Sequence, residues 1–336
     1  MGQAASQEPS RADAGPCLLD LNPVPDEVLV LILSWVPART LATRCRLVCR
    51  RWRAVVDGPT VWRLQLERVG CAACLEAARL GPLPPAAWAR LCVLRPLGRN
   101  LLRNPCGVEK FTHWRVRSGG NGWAIEENRR PLEGAPAQTC FVSSFGWCSK
   151  SQLIDLLAEG LWEELLDIHQ PEIHVSDWWG AREDCGCEYS LHVRLLAADC
   201  RAVLASFEAR PEPVEQWNDQ QYRQVSAAAP KPQPVVRPPR GRCRRLVGKL
   251  RHEGAPTPLL NSGFLSLPGQ VSHVFRCYGP GVRYVHFCHR GKDTQFWAGH
   301  YGARVTHSAV VVRLGPAQDR GAGGCPAPPS LPSTAH

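Results

Sequence analysis

The sequence predicts an α+β chain in which N-terminal helices precede an antiparallel β-sandwich with a flanking helix. Apolar residues between Leu41 and Val56 recur at spacings of three, four and seven, the period of one helix face. Further along, Tyr189 to Leu195 and Val282 to Cys288 alternate in character, the period of a strand. With 336 residues and 44% hydrophobic content, the chain can fill a sizeable core in at least one of two domains.

The first predicted helix begins after Pro25, since Asp26 and Glu27 suit the positive end of a helix, and it stops at Pro37. Thr40 is predicted to cap a second helix that runs to Val56. The apolar stripe of that helix comprises Leu41, Cys45, Val48, Trp52 and Val55 or Val56. A helical unit this short buries little surface by itself. The apolar stripe therefore predicts docking on another protein.

The second half, from about Gly98, consists of short alternating runs separated by Gly, Pro, Asn and Asp, which favours sandwich strands. One helix is predicted to interrupt them, from about Ser149 to Asp167. Its inward positions would be Leu153, Ile154, Leu157, Leu161, Leu165 and Leu166.

The formal charge of +10 has a local origin. Residues 225–270 hold eight Lys and Arg against one acid, a net +7, which leaves +3 for the rest and argues against nucleic acid as a partner. This stretch is rich in Ala and Pro, so we predict a disordered insertion without core residues. A Gln-Val-Ser repeat flanks it, and its excision joins Gln224 to Val271. The repeat also suits a splice donor, so we hypothesise a retained in-frame intron.

Catalytic residues, metal sites and cofactors are not predicted. The sequence has sixteen cysteines, and its N-terminal residues do not resemble an export signal, so reduced and mostly buried thiols are expected. Cys71 with Cys74, and Cys185 with Cys187, are candidate metal pairs, but neither has a second pair at zinc-site spacing. The sequence has no run of about eighteen apolar residues, so a cytoplasmic location is expected.

Residues 21–68 resemble an F-box, through the Pro37 break, the Leu47-Val48-Cys49 run, Trp52 and the later Trp62. The alternative is an ordinary buried helix pair. The resemblance implies binding to the Skp-type adaptor, and through it to the cullin, of an SCF ubiquitin ligase. The adaptor-binding residues it implies are Pro25, Val28, Leu29, Ile32, Leu33, Pro37, Leu41, Val48 and Trp52.

Residues 96–314, after linker helices at 69–95, resemble the F-box-associated domain of the sugar-recognising F-box family. The motifs that carry the resemblance are Gly119-Gly120-Asn121-Gly122-Trp123, Phe141-Val142-Ser143-Ser144-Phe145, Gly160-Leu161-Trp162-Glu163-Glu164-Leu165-Leu166-Asp167, Asp177-Trp178-Trp179-Gly180-Ala181-Arg182 and Phe296-Trp297-Ala298-Gly299-His300-Tyr301-Gly302. The resemblance implies a lectin-like, galactose-binding-like jelly roll.

The resemblance also implies that loops at one end bind the chitobiose of N-linked high-mannose glycans through Phe145, Asp184, Phe296 and Trp297. Sugar C–H groups pack on aromatic faces, and sugar hydroxyls need polar partners that replace water. The alternative is that Phe296 and Trp297 are core aromatics, as we expect for Trp123, Trp178 and Trp179. Ala298 departs from the lysine of a strongly binding family member, which predicts weaker affinity.

The N-terminus, Met1-Gly2-Gln3-Ala4-Ala5-Ser6, fits the acceptor pattern for myristoylation of Gly2. The alternative is an unmodified leader, and residues 1–20 and 315–336 are predicted to be disordered. A myristoyl group would add peripheral association with an ER, endosome or lysosome surface. Taken together, we expect an SCF substrate receptor for N-glycosylated proteins exposed to the cytosol; the alternatives are a receptor for protein surfaces without glycan and a lectin chaperone outside any ligase.

Overall fold

The computed structural model describes residue 21 and residues 23–218, 225–226 and 270–315. By its internal contacts the chain divides into two units, residues 1–75 with 83–93 and residues 76–82 with 94–336. The predicted leader with Gly2, almost all of the predicted insertion and all but the first residue of the predicted tail lie outside the described residues.

Helices occupy the described chain from residue 26 to residue 94. They are α1 (Asp26–Leu33), α2 (Ala38–Thr43), α3 (Arg50–Asp57), α4 (Pro59–Arg68), α5 (Ala72–Arg79) and α6 (Pro85–Leu94). As predicted, α1 follows Pro25 and carries two acids in its first turn. Trp62 of α4 is buried, and its indole N–H donates to the Val56 carbonyl at 2.8 Å. The last two helices lie in the stretch predicted as linker helices.

The predicted second helix is wrong in one respect, because it is broken into α2, a 3₁₀ turn at Cys45–Leu47, and α3. Pro37, not Thr40, is the N-cap residue of α2. Cys49 has extended backbone (φ −158°, ψ 173°), and its Sγ accepts a hydrogen bond from the Trp52 N–H at 3.5 Å, so a new helix begins there. The apolar spacing continues across the break and therefore did not reveal it.

The second unit is a β-sandwich, as predicted. Its strands are β1 (Arg115–Arg117), β2 (Ala124–Glu127), β3 (Thr139–Val142), β4 (Cys148–Asp155), β5 (Glu172–Gly180), β6 (Cys187–Leu196), β7 (Val203–Ala209), β8 (Val225–Ser226), β9 (Gln270–Phe275), β10 (Tyr284–Asp293) and β11 (Arg304–Arg313). One sheet has the order β1-β4-β10-β6-β7, and the other has the order β2-β3-β11-β5-β9-β8. The strand pairs are antiparallel except β8 with β9.

The alternation predicted for β6 and β10 is confirmed. Tyr189, Leu191, Val193 and Leu195 are buried on β6, and Trp179 of β5 stacks on Tyr189 with ring centroids 4.9 Å apart. The prediction that Trp123, Trp178 and Trp179 are core residues is also confirmed. The Trp179 ring lies between the two sheets, and Trp178, the preceding residue of the same strand, is buried on the opposite face.

The helix predicted from Ser149 to Asp167 is wrong. Residues Cys148–Asp155 form β4, which pairs with β1 and β10, and helical structure begins only at Glu163 and continues as a π turn at Leu165–His169. The inward residues of β4 include Lys150 and Gln152, so polar side chains hide its alternation. Leu153, predicted to face inward, is 51% exposed. The leucines recur at a helix-like spacing, although they lie on a strand, a turn and a short helical segment.

A polar cluster lies in the apolar interior of the sandwich. The interior polar cluster consists of Lys150, Asp177, Tyr189, His289 and Ser308, all buried. The Asp177 carboxylate accepts hydrogen bonds from Tyr189 (2.6 Å) and Ser308 (2.7 Å), and it also pairs with the His289 ring. The Lys150 Nζ lies 3.3 Å from the Trp114 ring centroid and 3.6 Å from that of Phe141. A single carboxylate thus holds side chains from both sheets.

The Val-Ser residues of the two Gln-Val-Ser copies lie side by side in the sheet. Val225 pairs with Val271 and Ser226 with Ser272, in parallel register, while β9 also pairs with β5. Excision of residues 225–270 would leave Val271 to Phe275 of β9 in the chain, joined to Gln224. Residues 227–269 lie outside the described part.

The expectation of reduced cysteines is confirmed for twelve cysteines of the described chain. It is wrong for Cys277, which is in a disulfide.

Candidate functional site

Four connections of the sandwich meet at one end of the strands. The register pairs Gly180 and Val142 with Arg304, and Cys187 with Asp293, so the loops after β3, β5 and β10 leave the sheets together. The connection from β1 to β2 joins them, because β1 pairs with the start of β4. We call this end, residues 118–123, 143–147, 181–186 and 294–303, the loop end.

Glycines allow two of these loops to pack backbone against backbone. A Cβ on Gly119 would lie 2.5 Å from the Trp147 carbonyl oxygen, and one on Gly146 would lie 2.5 Å from the Gly120 nitrogen. Gly120 also has φ +56°, a conformation that favours glycine. The Gly-Gly-Asn-Gly sequence therefore serves close approach of the loops at residues 119–122 and 143–147.

Hydrogen bonds tie the third loop to the first two. The Ser144 hydroxyl accepts from the Asn121 N–H at 2.9 Å and donates to the Gly299 carbonyl at 2.8 Å. The Asn121 side-chain oxygen accepts from the Gly299 N–H at 2.8 Å. Three loops distant in sequence thus share one network, which fixes the backbone around residue 299.

Trp297 and Phe296 stand on this fixed backbone and are open to solvent. Trp297 is 42% exposed and Phe296 is 69% exposed. Phe296 has left-handed backbone (φ +59°), and its N–H donates to the Asp293 carboxylate at 2.6 Å. A non-glycine residue held in that conformation indicates that the surrounding structure imposes it. The alternative that both are core aromatics is therefore wrong.

A chain of contacts links Trp297 to Asp184. The Trp297 ring meets Tyr301 edge-on at 5.8 Å between centroids, and the Arg182 guanidinium lies 4.9 Å from the Tyr301 centroid. Arg182 then binds both carboxylate oxygens of Asp184, at 3.0 and 3.1 Å. Desolvation alone would raise the pKa of Asp184, but the hydrogen bonds and charge of Arg182 outweigh it and lower that pKa. Asp184 is thus an ionised acceptor that Arg182 holds in place, and Arg182 also contacts the Tyr301 ring.

Phe145 lies at the same end but in a different setting. Its ring is half-buried, and the ring tip lies against Gly120, where a Cβ would come within 2.9 Å. The structure thus places all four predicted sugar-binding residues at the loop end, and Tyr301 and Arg182 connect Trp297 with Asp184. Sequence reasoning missed Tyr301 and Arg182. Tyr301 could have been noticed, because it lies between Gly299 and Gly302 in the same turn.

The predicted adaptor-binding residues divide by burial. Leu29, Leu33 and Leu41 are buried inside the helical unit, so they support its surface and do not form it. The exposed ones are Pro25, Val28, Ile32, Pro37 and Val48, and Trp52 is half-buried. Leu31, Trp35 and Leu47 were not predicted and are also exposed. This unit therefore presents apolar side chains from α1 and from the turn before α3.

The described residues show neither a metal-ligand cluster nor a helix suited to span a membrane. In that part of the chain, His, Cys, Asp and Glu do not gather in groups of three or more suited to a metal ion. Nor does any helix there have both the length and the apolar character needed to cross a bilayer.

Comparisons with known proteins agree with the two-part organisation. The family model described as F-box-like matches residues 21–66, and the model of the F-box associated region matches residues 92–237 and 256–312. F-box only protein 27 of Mus musculus is 46% identical over 305 residues, which cover 88% of this chain and 92% of the relative. F-box only protein 17 of Homo sapiens is 47% identical over 325 residues, 94% of this chain and 99% of the relative. Human F-box only protein 6 is 38% identical over 301 residues, 87% of this chain and 84% of the relative.

Proposed function

Because the chain belongs to the F-box proteins that carry an F-box-associated region, we propose that it is a substrate-recognition subunit of an SCF-type ubiquitin ligase. In this role the F-box binds the Skp-type adaptor, which connects the chain to the cullin. The sandwich holds the target, and ubiquitin transfer takes place on other subunits. Holding both partners makes that transfer effectively intramolecular, so the chain needs no catalytic group of its own.

The exposed apolar residues of the helical unit support adaptor binding. Val48 is 61% exposed and follows Leu47, which is 69% exposed. An apolar surface on so small a unit favours burial against a partner. We expect Val48→Asp to abolish co-purification with the Skp-type adaptor. Val108→Asp, at an exposed valine of the second unit, is the matched control and should retain the adaptor. Retention by both variants would contradict this part of the proposal.

We further propose that the loop end binds the chitobiose core of N-linked high-mannose glycans. The observation that carries this proposal is the open Trp297 ring beside Tyr301 and the Arg182–Asp184 pair. A sugar ring can pack its C–H groups on the indole while its hydroxyls or N-acetyl amides bond to the carboxylate. Because hydrogen bonds already hold the loops, little ordering entropy is lost on binding.

A glycan array with the full chain tests this proposal. Wild type should retain chitobiose-containing glycans, and Trp297→Ala should lose them, because the indole provides the apolar platform for the sugar. Ile168→Ala is the control, since Ile168 is 70% exposed and lies in the connection before β5, at the end of the sandwich opposite the loop end. Retention by wild type and by both variants would show that the sugar binds elsewhere.

The second candidate is an SCF receptor that recognises protein surfaces without sugar. Ala298 favours it, because a methyl group stands where a family member with strong glycan affinity has a lysine. The loss of one hydrogen bond costs about 0.5 to 1.5 kcal/mol, or up to roughly tenfold in affinity, so recognition should weaken without disappearing. An array that retains no glycan, combined with intact adaptor binding, would favour this second candidate.

The targets we propose are misfolded glycoproteins withdrawn from the secretory pathway and glycans revealed when an endosome or lysosome ruptures, which would then be degraded. The proposed site of action is the cytoplasm, with myristoylation of Gly2 drawing the chain to membrane surfaces. A lone acyl chain binds membranes only marginally, so the association would be reversible. Labelling with a clickable myristate analogue should mark wild type and not Gly2→Ala; equal labelling would contradict the modification.

A further inference from the structure

Aromatic and cationic side chains extend from the loop end onto β10 of the five-stranded sheet. The Lys292 ammonium lies 5.5 Å from the Phe296 ring centroid and 5.3 Å from that of Trp147. The Arg290 guanidinium lies 4.7 Å from the Trp147 centroid. Trp147 is 40% exposed, and none of these contacts involves Trp297. We call Trp147, Arg290, Lys292 and Phe296 the basic strip.

The positive charge of the basic strip is only partly neutralised. Lys292 pairs with Glu188 at 2.7 Å. Arg290 is exposed, and no carboxylate among the described residues lies within ion-pair distance of it. Arg117 of β1 and Arg290 of β10 both pair in register with Ser149 of β4, so a second exposed arginine lies two strands away. The strip therefore continues from the loop end onto a cationic part of the sheet face.

The spacing along β10 suits an extended peptide. Arg290 and Lys292 are two residues apart on one side of a strand, which separates them by about 6.6 Å. Alternate side chains of an extended peptide have the same separation, so two carboxylates at positions i and i+2 can meet both cations. Trp147, next to Arg290, offers an apolar contact for the residue between or beside them.

We infer that the basic strip binds acidic residues of the polypeptide that carries the glycan, next to its glycosylated asparagine. This inference rests on the proposed glycan binding, because the strip adjoins the loop end through Phe296. It makes the chain a reader of sugar and flanking sequence together, so acidic glycoproteins become preferred substrates. The charge complementarity also predicts a preference that falls as salt concentration rises.

The test compares three probes by titration against the full chain: a chitobiose-bearing glycopeptide with acidic flanks, the same glycopeptide with serine flanks, and the acidic peptide without sugar. Wild type should bind the acidic glycopeptide about two- to fivefold more tightly than the serine one, the range expected of exposed ion pairs. Arg290→Gln should remove that preference. Arg129→Gln, at an exposed arginine of another loop, is the matched control and should keep it.

Equal wild-type affinity for the two glycopeptides would overturn the inference, as would a preference that survives Arg290→Gln. A different result is expected if the proposed glycan binding itself is wrong. In that case neither glycopeptide would bind more tightly than the bare peptide. In that case the bare acidic peptide decides the matter. Binding that Arg290→Gln weakens supports the strip as a peptide site, and absence of binding overturns it.

Discussion

In the sandwich interior, the Lys150 ammonium lies over the Trp114 and Phe141 rings near the buried Asp177, whereas at the loop end Arg182 lies over Tyr301 and pairs with the partly open Asp184. Both places combine a cation, a carboxylate and aromatic rings. In the interior every group is sealed, so these contacts can only hold the two sheets together. At the loop end the same groups remain open to a ligand. Exposure, more than residue type, therefore separates the structural cluster from the proposed binding site.

The largest expected effect is the loss of the buried carboxylate. Asp177→Asn removes the negative charge that compensates the buried Lys150 ammonium. We expect this substitution to lower the free energy of unfolding by about 3 to 5 kcal/mol. Asp184→Asn is the matched variant at the loop end and should cost less than about 1 kcal/mol, because that carboxylate is partly open to solvent, which screens its ion pair. Urea denaturation of both variants gives the two values. Similar values for the two variants would remove the distinction between the two sites.

Acid should weaken the interior next. Burial, helped by the charge of Lys150, lowers the pKa of His289 to about 4, although Asp177 opposes this. The unfolded chain takes up a proton on this residue near pH 6.5, the ordinary value, and the native state does so only near pH 4. The free energy of unfolding should therefore fall as pH drops from about 6.5 to about 4, by roughly 3 kcal/mol from this group.

The same stability curve measured on His289→Gln isolates this contribution. Burial also lowers the pKa of Lys150 well below its ordinary value, so this lysine acts in the same direction at higher pH. We expect the variant to be less sensitive to pH between about 4 and 6.5 than wild type. An unchanged slope would mean that other groups dominate acid unfolding.

A smaller effect should follow at the glycine contact of the loop end. Gly146→Ala places a Cβ 2.5 Å from the Gly120 nitrogen, so the loops at residues 119–122 and 143–147 must separate. We expect a loss of about 1 to 3 kcal/mol in unfolding free energy, together with weaker glycan retention. Gly81→Ala is the control, because a Cβ there meets no atom within 4 Å and stability should hardly change. Retention of full glycan binding by Gly146→Ala would show that the loop contact does not position the site.

A region of this protein can be predicted from sequence where the residues that determine it are close together in the chain. The strand β6 was predicted because its inward residues are all apolar, from Tyr189 to Leu195. The strand β4 was mistaken for part of a helix because Lys150 and Gln152 face the interior, where only partners distant in sequence accommodate them. The solvent exposure of Trp297 could be predicted from Gly299 and Gly302, because these glycines lie close to it in the sequence. The contact of Arg182 with Tyr301 could not be predicted, because it joins two loops separated by more than a hundred residues.

The smallest expected effect on stability is that of Trp297→Ala, and it sharpens the comparison most directly. Trp297 contacts Tyr301 and is 42% exposed, so its removal should change the free energy of unfolding by no more than about 0.5 kcal/mol while abolishing glycan retention. Trp179→Ala, at a sealed ring that stacks on Tyr189, should instead cost about 3 to 5 kcal/mol. Thermal and urea unfolding of the two variants, measured beside the glycan array, provide both readouts. A large stability loss in Trp297→Ala would mean that this indole supports the loop end, and its effect on binding would then be indirect.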